Sequence, residues 1–299
     1  MDKILITGGT GFLGKRLGQR FRELGHDVVL AGRNNKQNVL AAQFSGCETL
    51  ALDVSHLEAV RDIVTQVQPT AIIHAAAAAF VAIAERQPME TIDINVVGSQ
   101  NIARVAIDKG VKLVIGISTD KAAPPVSNTY GLTKALMERL FCAMDSKSPT
   151  QFLCVRYGNV AWSTGSVLSI WRRMVRETGV IGTTGPKMLR FFFTVDEAVD
   201  LIVRAFDHAD ELHGKVLVPT MKAAQMEDIL RVWTEQEGAR YEQIAGRAGE
   251  RTEEFLIGEH ELPFTREQVY DEILHYIISF NQRVDKPVAK ILSLSLIHI

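Results

Sequence analysis

The chain has 299 residues, of which 46% are hydrophobic and 23% are charged, and its formal net charge is −2. This composition is typical of a globular protein with one large core, and the balanced charge gives no electrostatic reason to bind nucleic acid or an anionic membrane. The three cysteines and eight histidines form no metal-binding or disulfide pattern, so we expect no metal and a cytoplasmic location. No apolar run is long enough to cross a bilayer, and we expect neither a membrane anchor nor a signal peptide.

Strand-like and helix-like segments alternate through the first half of the chain. Six short runs are almost continuously apolar, which is typical of strands buried on both faces of a parallel sheet. They lie at residues 3–6, 27–31, 48–52, 70–76, 112–118 and 152–158. Helical periodicity is found between them at residues 13–24, 56–67, 85–109 and 129–144. This order predicts an α/β fold with a doubly wound parallel (Rossmann) sheet over residues 1–160.

The pattern loosens after residue 160, where stretches rich in Gly, Thr and Pro separate three further predicted helices. These helices lie at residues 166–176, 195–208 and 223–237. We expect residues 161–293 to form mainly a smaller C-terminal substrate-binding lobe, with residues 186–208 returning to the first domain. The last six residues, LSLIHI at 294–299, match the translation of a sequencing adapter and are interpreted as an artefact; the alternative is a genuine short strand.

A glycine-rich turn follows the first predicted strand and opens the first predicted helix. Gly8, Gly11 and Gly14 stand three residues apart; glycine at these positions permits a tight turn, close approach to a pyrophosphate, and close contact between helix and strand. The N–H groups at the helix N-terminus also favour phosphates. The turn predicts a dinucleotide site, the alternative being a purely structural glycine turn. The remaining residues expected around this cofactor are Thr10, Phe12, Leu13, Ala75, Ala76 and Ala77.

The end of the second predicted strand indicates which dinucleotide is bound. A carboxylate there would bond the ribose 2′-hydroxyl of NAD, whereas this chain has Arg33, whose guanidinium can pair with the 2′-phosphate of NADP. We therefore expect NADP, with NAD as the alternative cofactor; Arg33 could instead stack on the adenine. Asp53 and Val54, after the third strand, are expected at the adenine edge, unless Asp53 caps the following helix.

A tyrosine–lysine pair lies at the start of the fourth predicted helix. Tyr130 and Lys134 are four residues apart and share one helix face, so the lysine can lie beside both the phenol and the cofactor ribose. A neighbouring ammonium stabilises phenolate, and we expect it to lower the tyrosine pKa. Thr119 ends the fifth strand before this helix. Asn95 lies on the helix behind it, where it either supports Lys134 or faces solvent.

Motifs along the whole chain resemble those of a known family. TGGTGFLG at 7–14 together with YGLTK at 130–134 resembles the extended short-chain dehydrogenase/reductases. Within them, STDKAAPP, RYGNV, TGSVLSIW, LRFFFTVDEAVDLI and GERTEEFL resemble the polysaccharide-biosynthesis UDP-N-acetylglucosamine 4,6-dehydratases. The tyrosine at position 130 is similar to that of the soluble members that invert C5 and begin nonulosonic acid biosynthesis. Trp162 and Thr252 depart from the family pattern, which leaves the exact substrate open.

The resemblance implies a reaction in which a UDP-sugar loses water across C5 and C6. Tyr130 removes the proton of the 4-hydroxyl while hydride leaves C4 for NADP. Lys121 then removes the C5 proton, and Asp120 protonates the departing 6-hydroxyl. Thr119 bonds the 4-hydroxyl or the Tyr130 oxygen, or merely caps the strand, and the Asp120–Lys121 pair could be a plain loop ion pair. The residues implied in substrate binding are Lys121, Asn159, Arg190 and Glu250.

Three functions are compatible with these residues. The first is the NADP-dependent 4,6-dehydratase, in which Arg190 suits the diphosphate unless it serves only a surface salt bridge. The second is a UDP-sugar 4-epimerase, which would use Tyr130 and Lys134 but has no use for Asp120 and Lys121. The third is a non-catalytic NADP-sensing regulator, although such proteins commonly lose the tyrosine or the lysine. The family leads us to expect a homo-oligomer.

Overall fold

The computed structural model, which describes residues 1–246 and 249–288, alternates strands and helices through the first half of the chain. The elements are β1 (Lys3–Thr7), α1 (Phe12–Glu23), β2 (Asp27–Gly32), α2 (Asn35–Ser45), β3 (Glu48–Ala51), α3 (Leu57–Val67), β4 (Ala71–His74), α4 (Val81–Arg86), α5 (Pro88–Ile92), α6 (Gly98–Asp108), β5 (Leu113–Ile117), α7 (Thr129–Asp145) and β6 (Gln151–Val155). A π-helical turn, Asp93–Val97, joins α5 to α6, and a 3-10 turn, Asp120–Ala122, precedes α7.

The second half has shorter elements. They are β7 (Asn159–Val160), α8 (Val167–Thr178), β8 (Val180–Thr183), β9 (Leu189–Phe193), α9 (Val195–Asp207), α10 (Ala209–Leu212), β10 (Val216–Pro219), β11 (Lys222–Gln225), α11 (Met226–Glu237), β12 (Arg240–Gln243), β13 (Thr265–Tyr270) and β14 (Ile273–Ile278). A 3-10 turn, Glu259–Phe264, precedes β13.

A nine-stranded sheet organises the described residues. Its strand order is β13-β14-β10-β6-β5-β4-β1-β2-β3, and the strands from β10 to β3 are all parallel. The hairpin of β13 and β14 adds two antiparallel strands at the β10 edge. Strands β4 and β5 are buried at every residue, as their apolar runs predict. The predicted α/β fold with a doubly wound Rossmann sheet is confirmed, and the strand order reverses between β1 and β4, where such sheets bind ligands.

Two predicted helices differ from the structure. Residues 85–109, predicted as one helix, are divided among the end of α4, α5, the π-helical turn and α6, because Pro88 cannot continue a helix and instead opens a new one. Residues 223–237 begin as a strand, since β11 pairs antiparallel with β9 before α11 starts. Helix α2 was not predicted from the sequence; its hydrophobic residues show little helical periodicity.

A smaller lobe lies beside the large sheet. It contains a three-stranded sheet, β11-β9-β7, and a two-stranded sheet, β12-β8. Its own apolar core consists of Leu168, Trp171, Ile181, Met226, Leu230 and Ala239. Helix α9 packs against α1, and β10, β13 and β14 complete the large sheet, so both halves of the chain build it. The domain division into 1–160 and 161–293 stays a prediction, and residues 294–299 lie outside the described residues.

Two classes of feature are missing from the described part of the chain. No helix within residues 1–246 and 249–288 is long and apolar enough to cross a membrane. In the same ranges, no group of three or more His, Cys, Asp or Glu side chains could hold a metal ion.

A buried guanidinium ties the C-terminal segment to α7. Arg156, which follows β6, is completely buried and donates from Nε and Nη2 to the two carboxylate oxygens of Glu138 at 2.9 and 2.6 Å. It also donates from Nη1 and Nη2 to Glu261 at 2.7 and 2.9 Å, and from Nη1 to the Leu256 carbonyl. These bidentate pairs connect α7, β6 and the 3-10 turn before β13.

We predict that Glu261→Ala destabilises the fold by about 3 kcal/mol, because it leaves part of a buried guanidinium without a partner. The measurement is urea unfolding followed by circular dichroism. Glu259→Ala is the matched control, since Glu259 lies in the same turn but is exposed, and its effect should stay within about 0.5 kcal/mol. Equal, small losses in both variants would show that the Arg156 pairs contribute nothing to stability.

Candidate active site

A cavity of about 830 Å³ opens where the parallel strands end. Its wall on the sheet side includes residues that directly follow β1, β4 and β5, namely Gly8, Ala75 and Ser118. The opposite wall comes from the smaller lobe, between β7 and α8 and around β9. Ligand sites measure about 300–1,000 Å³ and lie at the carboxyl ends of parallel strands, so volume and position both suit a substrate.

The glycine turn has the geometry of a dinucleotide site. Gly8 has a left-handed backbone (φ +67°), and a Cβ there would lie 2.6 Å from the Ala76 nitrogen. A Cβ on Gly14 would lie 2.5 Å from the Gly8 oxygen, so α1 could not approach β1 as closely. No side chain caps the N-terminus of α1, which leaves its first N–H groups for phosphate oxygens. The predicted cofactor residues that line the cavity are Gly8, Gly11, Phe12, Leu13, Gly14, Ala75 and Ala77.

Other predicted cofactor residues lie behind this wall or at its end. Thr10 contacts Gly32 at the end of β2, and Val54 is buried against Gly98 at the start of α6. Ala76 lies against Gly8, where any larger residue at position 8 would collide with it. These three residues shape the backbone of the site and are not among the described residues that line the cavity.

Arg33 directly follows β2 and has a half-exposed side chain. Its Nη1 lies 3.5 Å from Oε1 of Glu90 and 4.0 Å from Oδ2 of Asp53, and such exposed pairs are weak. Asp53 accepts hydrogen bonds from the backbone and hydroxyl of Ser55 at 3.0 and 2.7 Å. Although burial opposes the change, these bonds and Arg33 lower the pKa of Asp53. Helix α3 starts after His56, so Asp53 stabilises the preceding turn and does not cap the helix itself.

Asn95 is completely buried and does not face solvent. Its Oδ1 accepts from the Ala78 nitrogen at 2.8 Å, and its Nδ2 donates to the Thr133 hydroxyl at 3.0 Å. The Thr133 hydroxyl in turn donates to the Tyr130 carbonyl. Asn95 therefore connects the alanine segment after β4 to α7. Its contact on α7 is Thr133, whereas the sequence predicted a contact with Lys134.

Tyr130 lines the cavity near the start of α7, with the Thr119 hydroxyl close to its phenol. Burial raises the pKa of Tyr130 to about 12, against the lowering that we expected. The nearby charge that favours the phenolate is that of Lys121, opposed by Asp120. Lys134 is buried and donates from Nζ to the Met137 sulfur at 3.1 Å, and burial lowers its pKa to about 8. Among the described residues, Lys134 does not line the cavity.

A cluster of charged side chains surrounds Lys121. Its Nζ lies 3.1 Å from Oδ1 of Asp120, 2.9 Å from Oε1 of Glu254 and 3.4 Å from Oδ1 of Asn159. Thr119 donates to Asp120 at 2.8 Å and also caps the 3-10 turn by accepting from the Lys121 nitrogen. Although burial opposes it, Asp120 and Glu254 raise the pKa of Lys121, which is therefore an ammonium at neutral pH. The Asp120–Lys121 pair is buried beside Tyr130, unlike an exposed loop ion pair.

Arg190 lies on β9 with almost all of its donors used within the protein. Its Nη1 donates to the carbonyls of Leu189 and Thr252, and its Nη2 donates to the carbonyl of Arg251 at 2.7 Å. Its Nε lies 3.6 Å from Glu254. Arg190 is thus a partly buried tie between β9 and the segment at 249–256, although it also lines the cavity. Arg190 therefore also holds the backbone of this segment, a role that the sequence did not predict.

Two residues of the segment 249–256 were missed by sequence reasoning. Arg251 lines the cavity; its Nε donates to Ser127, whereas its buried Nη1 and Nη2 have no hydrogen-bond partner among the described residues. Glu254 also lines the cavity and pairs with Lys121. The predicted Glu250 lies on the same wall and accepts from Thr184 at 2.9 Å. The segment is rich in charged residues, so composition alone does not tell which side chains face the cavity.

Relatives of this chain include two kinds of enzyme. The UDP-N-acetylglucosamine 4,6-dehydratase (inverting) of Campylobacter jejuni is 32% identical over 278 residues, which cover 88% of this chain and 80% of that protein. The UDP-glucose 4-epimerase of Rickettsia typhi is also 32% identical, over 276 residues with the same shares of the two chains, 88% and 80%. Sequence identity therefore does not discriminate between a dehydratase and an epimerase.

Solved structures show the same architecture. Pen from Bacillus thuringiensis has a TM-score of 0.86 to this chain at 27% identity, covering 93% of this chain and 87% of that one. The UDP-glucose 4-epimerase of Thermus thermophilus, solved in complex with NAD, has a TM-score of 0.74 at 18% identity, covering 85% and 90%. At that identity the second likeness concerns the fold alone.

A family model provides the assignment. The model described as "Polysaccharide biosynthesis protein" matches residues 4–276, which include the glycine turn, the tyrosine–lysine pair and the cluster around Lys121. The chain therefore belongs to the polysaccharide biosynthesis protein family, on the extended short-chain dehydrogenase/reductase fold that nucleotide-sugar dehydratases and epimerases share.

Proposed function

We propose that this chain is an NADP-dependent UDP-N-acetylglucosamine 4,6-dehydratase that inverts C5. The observation that carries the proposal is the Asp120–Lys121 pair beside Tyr130, in which Lys121 lines the cavity and Asp120 is completely buried directly behind it. A 4-epimerase needs a proton acceptor at the 4-hydroxyl and a hydride acceptor, and nothing more. Elimination of water also needs a base for the C5 proton and an acid for the 6-hydroxyl, which this pair supplies.

The reaction begins at the 4-hydroxyl of the sugar. Tyr130 accepts the hydroxyl proton in its phenolate form, which the charge of Lys121 favours, and Thr119 lies close enough to orient the phenol. The glycine turn and α1 would hold the pyrophosphate of the cofactor, whose chemistry, when bound, would be to take a hydride from C4 and return it to C6. Lys134 keeps its predicted role at the ribose, although its Nζ donates to Met137 in this structure.

Elimination follows because the 4-ketone acidifies the C5 proton. Lys121 removes that proton and Asp120 donates a proton to the 6-hydroxyl, which leaves as water. The proton that Tyr130 took from the 4-hydroxyl then passes to C5 on the opposite face, which gives inversion and returns Tyr130 to its starting form. Asn159, Arg190 and Glu250 remain predicted substrate contacts on the same cavity wall.

The diphosphate of the substrate is assigned to Arg251. Its two Nη atoms are buried without hydrogen-bond partners among the described residues, although the side chain lines the cavity. An unpaired buried cation is costly, and a diphosphate would supply the missing acceptors. We expected Arg190 to bind this group, but its Nη donors already serve backbone carbonyls.

NADP is the proposed cofactor because of Arg33. Its two ion pairs, with Glu90 and Asp53, are exposed and long, so a 2′-phosphate can replace them at little cost. The preference for NADP over NAD is therefore assigned to Arg33 alone. A homo-oligomeric assembly and a cytoplasmic location stay predictions.

Incubation of the wild-type protein with UDP-N-acetylglucosamine and NADP in D₂O tests the function. We expect a 4-keto-6-deoxy sugar with deuterium at C5, read by NMR, and no net consumption of cofactor. Formation of UDP-N-acetylgalactosamine without a keto sugar would make the chain an epimerase. Tight NADP binding without any turnover would make it a sensor.

Lys121→Ala should reduce formation of the keto-deoxy sugar by at least about 100-fold, the range for loss of a general base. Slow oxidation at C4 should persist and appear as NADPH absorbance, since Tyr130 is intact. Lys187→Ala is the matched control, because Lys187 is an exposed lysine near the same lobe. Keto-deoxy sugar released by Lys121→Ala at the wild-type rate would refute the elimination assignment.

Arg251→Ala should raise the KM for UDP-N-acetylglucosamine at least about tenfold and change kcat less, because diphosphate binding is equally strong in ground and transition states. The unfolding midpoint should not fall, since the variant removes an unpaired buried charge. Arg176→Ala, an exposed arginine on α8, serves as control. An unchanged KM would place the diphosphate elsewhere.

Arg33→Ala should weaken NADP binding at least about tenfold and leave NAD binding unchanged, because only the 2′-phosphate is lost as a partner. Fluorescence titration with each dinucleotide measures both constants. Lys36→Ala, an exposed neighbour, controls for a general loss of positive charge. Parallel loss of NAD and NADP affinity would indicate adenine stacking as the role of Arg33.

A further inference from the structure

We propose that Glu254 is the positioning residue that makes Asp120 the proton donor of the site. Glu254 carries the negative charge of a buried carboxyl pair and leaves the proton on Asp120. The role of Asp120 as an acid rests on the proposed function, whereas the location of the proton does not. Nothing in the motif around Asp120 indicates this partner, because Glu254 lies in a distant part of the chain.

The geometry starts from two carboxyls that share one ammonium. Asp120 is completely buried and Glu254 is only 7% exposed, and Lys121 Nζ contacts both, at 3.1 and 2.9 Å. The two carboxyls also lie close enough for each to shift the pKa of the other. Two like charges at such a distance in a buried site are unfavourable, so one of the two carboxyls holds a proton.

The surrounding donors decide which carboxyl is charged. Glu254 accepts from Asn159 Nδ2 at 3.1 Å and from Lys121, and Arg190 Nε lies 3.6 Å from its Oε1. Asp120 accepts hydrogen bonds from Thr119 and Lys121, both at Oδ1. Its Oδ2 is buried and has no hydrogen-bond donor among the described residues. An oxygen that finds no donor suits an O–H group better than a carboxylate. Glu254 is therefore the anion.

The remaining titratable groups around Asp120 agree with this assignment. Tyr130 on α7 and Tyr157 after β6 are neutral phenols, because burial raises the pKa of each well above neutrality. Burial, and then the charge of Glu254, raise the pKa of Asp120. Against its own burial, Lys121 and Arg190 lower the pKa of Glu254. The cations thus act mainly on Glu254.

The arrangement also balances the protons of the elimination. Lys121 starts as an ammonium and passes one proton to Glu254, the nearest carboxylate, so that its amine can accept the C5 proton. Asp120 gives its proton to the 6-hydroxyl oxygen as the C6–O bond breaks, and water leaves. Lys121, now an ammonium again, gives a proton to Asp120 and takes the proton back from Glu254, since its Nζ contacts both carboxyls. The cluster ends with the charges that it had at the start.

Infrared titration of the full chain, without substrate, locates the proton. We expect the carbonyl stretch of a protonated carboxyl near neutral pH in the wild type, absent in Asp120→Asn. In Glu254→Gln the band should titrate at least about one pH unit lower, because the anion that keeps Asp120 protonated is gone. Glu253→Gln, an exposed neighbour, is the control and should match the wild type.

A band that persists in Asp120→Asn and disappears in Glu254→Gln would place the proton on Glu254 and overturn the proposal. Absence of any protonated carboxyl in the wild type would overturn it as well. The wild type and Asp120→Asn are sufficient to locate the proton, so the test holds even where Glu254→Gln does not fold. Failure to form a keto-deoxy sugar would refute the proposed function and leave the infrared result intact.

The pH dependence of kcat gives a second test, because a merely structural role of Glu254 would not change its shape. Removing the negative charge lowers the pKa of Asp120, so in Glu254→Gln the acid form disappears at a lower pH. The alkaline limb of kcat should therefore move down by at least about one unit, a loss of about tenfold at a fixed pH on that limb. Glu254→Asp should restore the wild-type limb. A uniform loss of kcat at every pH would contradict the positioning role.

Discussion

The site depends on one ammonium that contacts two carboxyls from distant parts of the chain. Lys121 and Asp120 belong to the 3-10 turn after β5, whereas Glu254 belongs to the C-terminal segment. Burying this cluster brings the segment at 249–256 onto the cavity wall. Without the ammonium, the buried carboxylate of Glu254 would lose its nearest counter-ion, and burying this segment against the cavity would be costly. Substrate contacts and acid–base chemistry therefore share the same electrostatic constraint.

A second buried cation, Arg156, also contacts the C-terminal segment. Arg156 joins Glu138 on α7 to Glu261 and to the Leu256 carbonyl, so the helix that carries Tyr130 is tied to the chain that carries Glu254. Each charge here has a geometrically matched partner, which is the condition for burying a guanidinium without a large penalty. These buried contacts, and not the conformation of one loop, therefore set the relative positions of the Tyr130 phenol, the Lys121 ammonium and the two carboxyls.

The relatives place two reactions on one scaffold. A dehydratase and an epimerase are equally identical to this chain, at 32%. The feature on which we base the proposed dehydratase function is local: it is the Asp120–Lys121 pair beside the Tyr130 phenol. A fold comparison alone does not contain that information, because function resides in the site.

The sequence by itself determined the Rossmann half of the molecule and the first members of its site. Continuous apolar runs identify strands such as β4 and β5, and the spacing of Gly8 and Gly14 identifies the glycine turn between β1 and α1, because both signals are local in the chain. The tertiary structure decided that Lys134 contacts Met137, that Pro88 divides a predicted helix, and that β10 and the hairpin of β13 and β14 join the large sheet. It alone selected Glu254 and Arg251 from a segment rich in charge. Strand pairing and the burial of charges depend on which distant residues meet, and no periodicity within a short stretch of sequence records that.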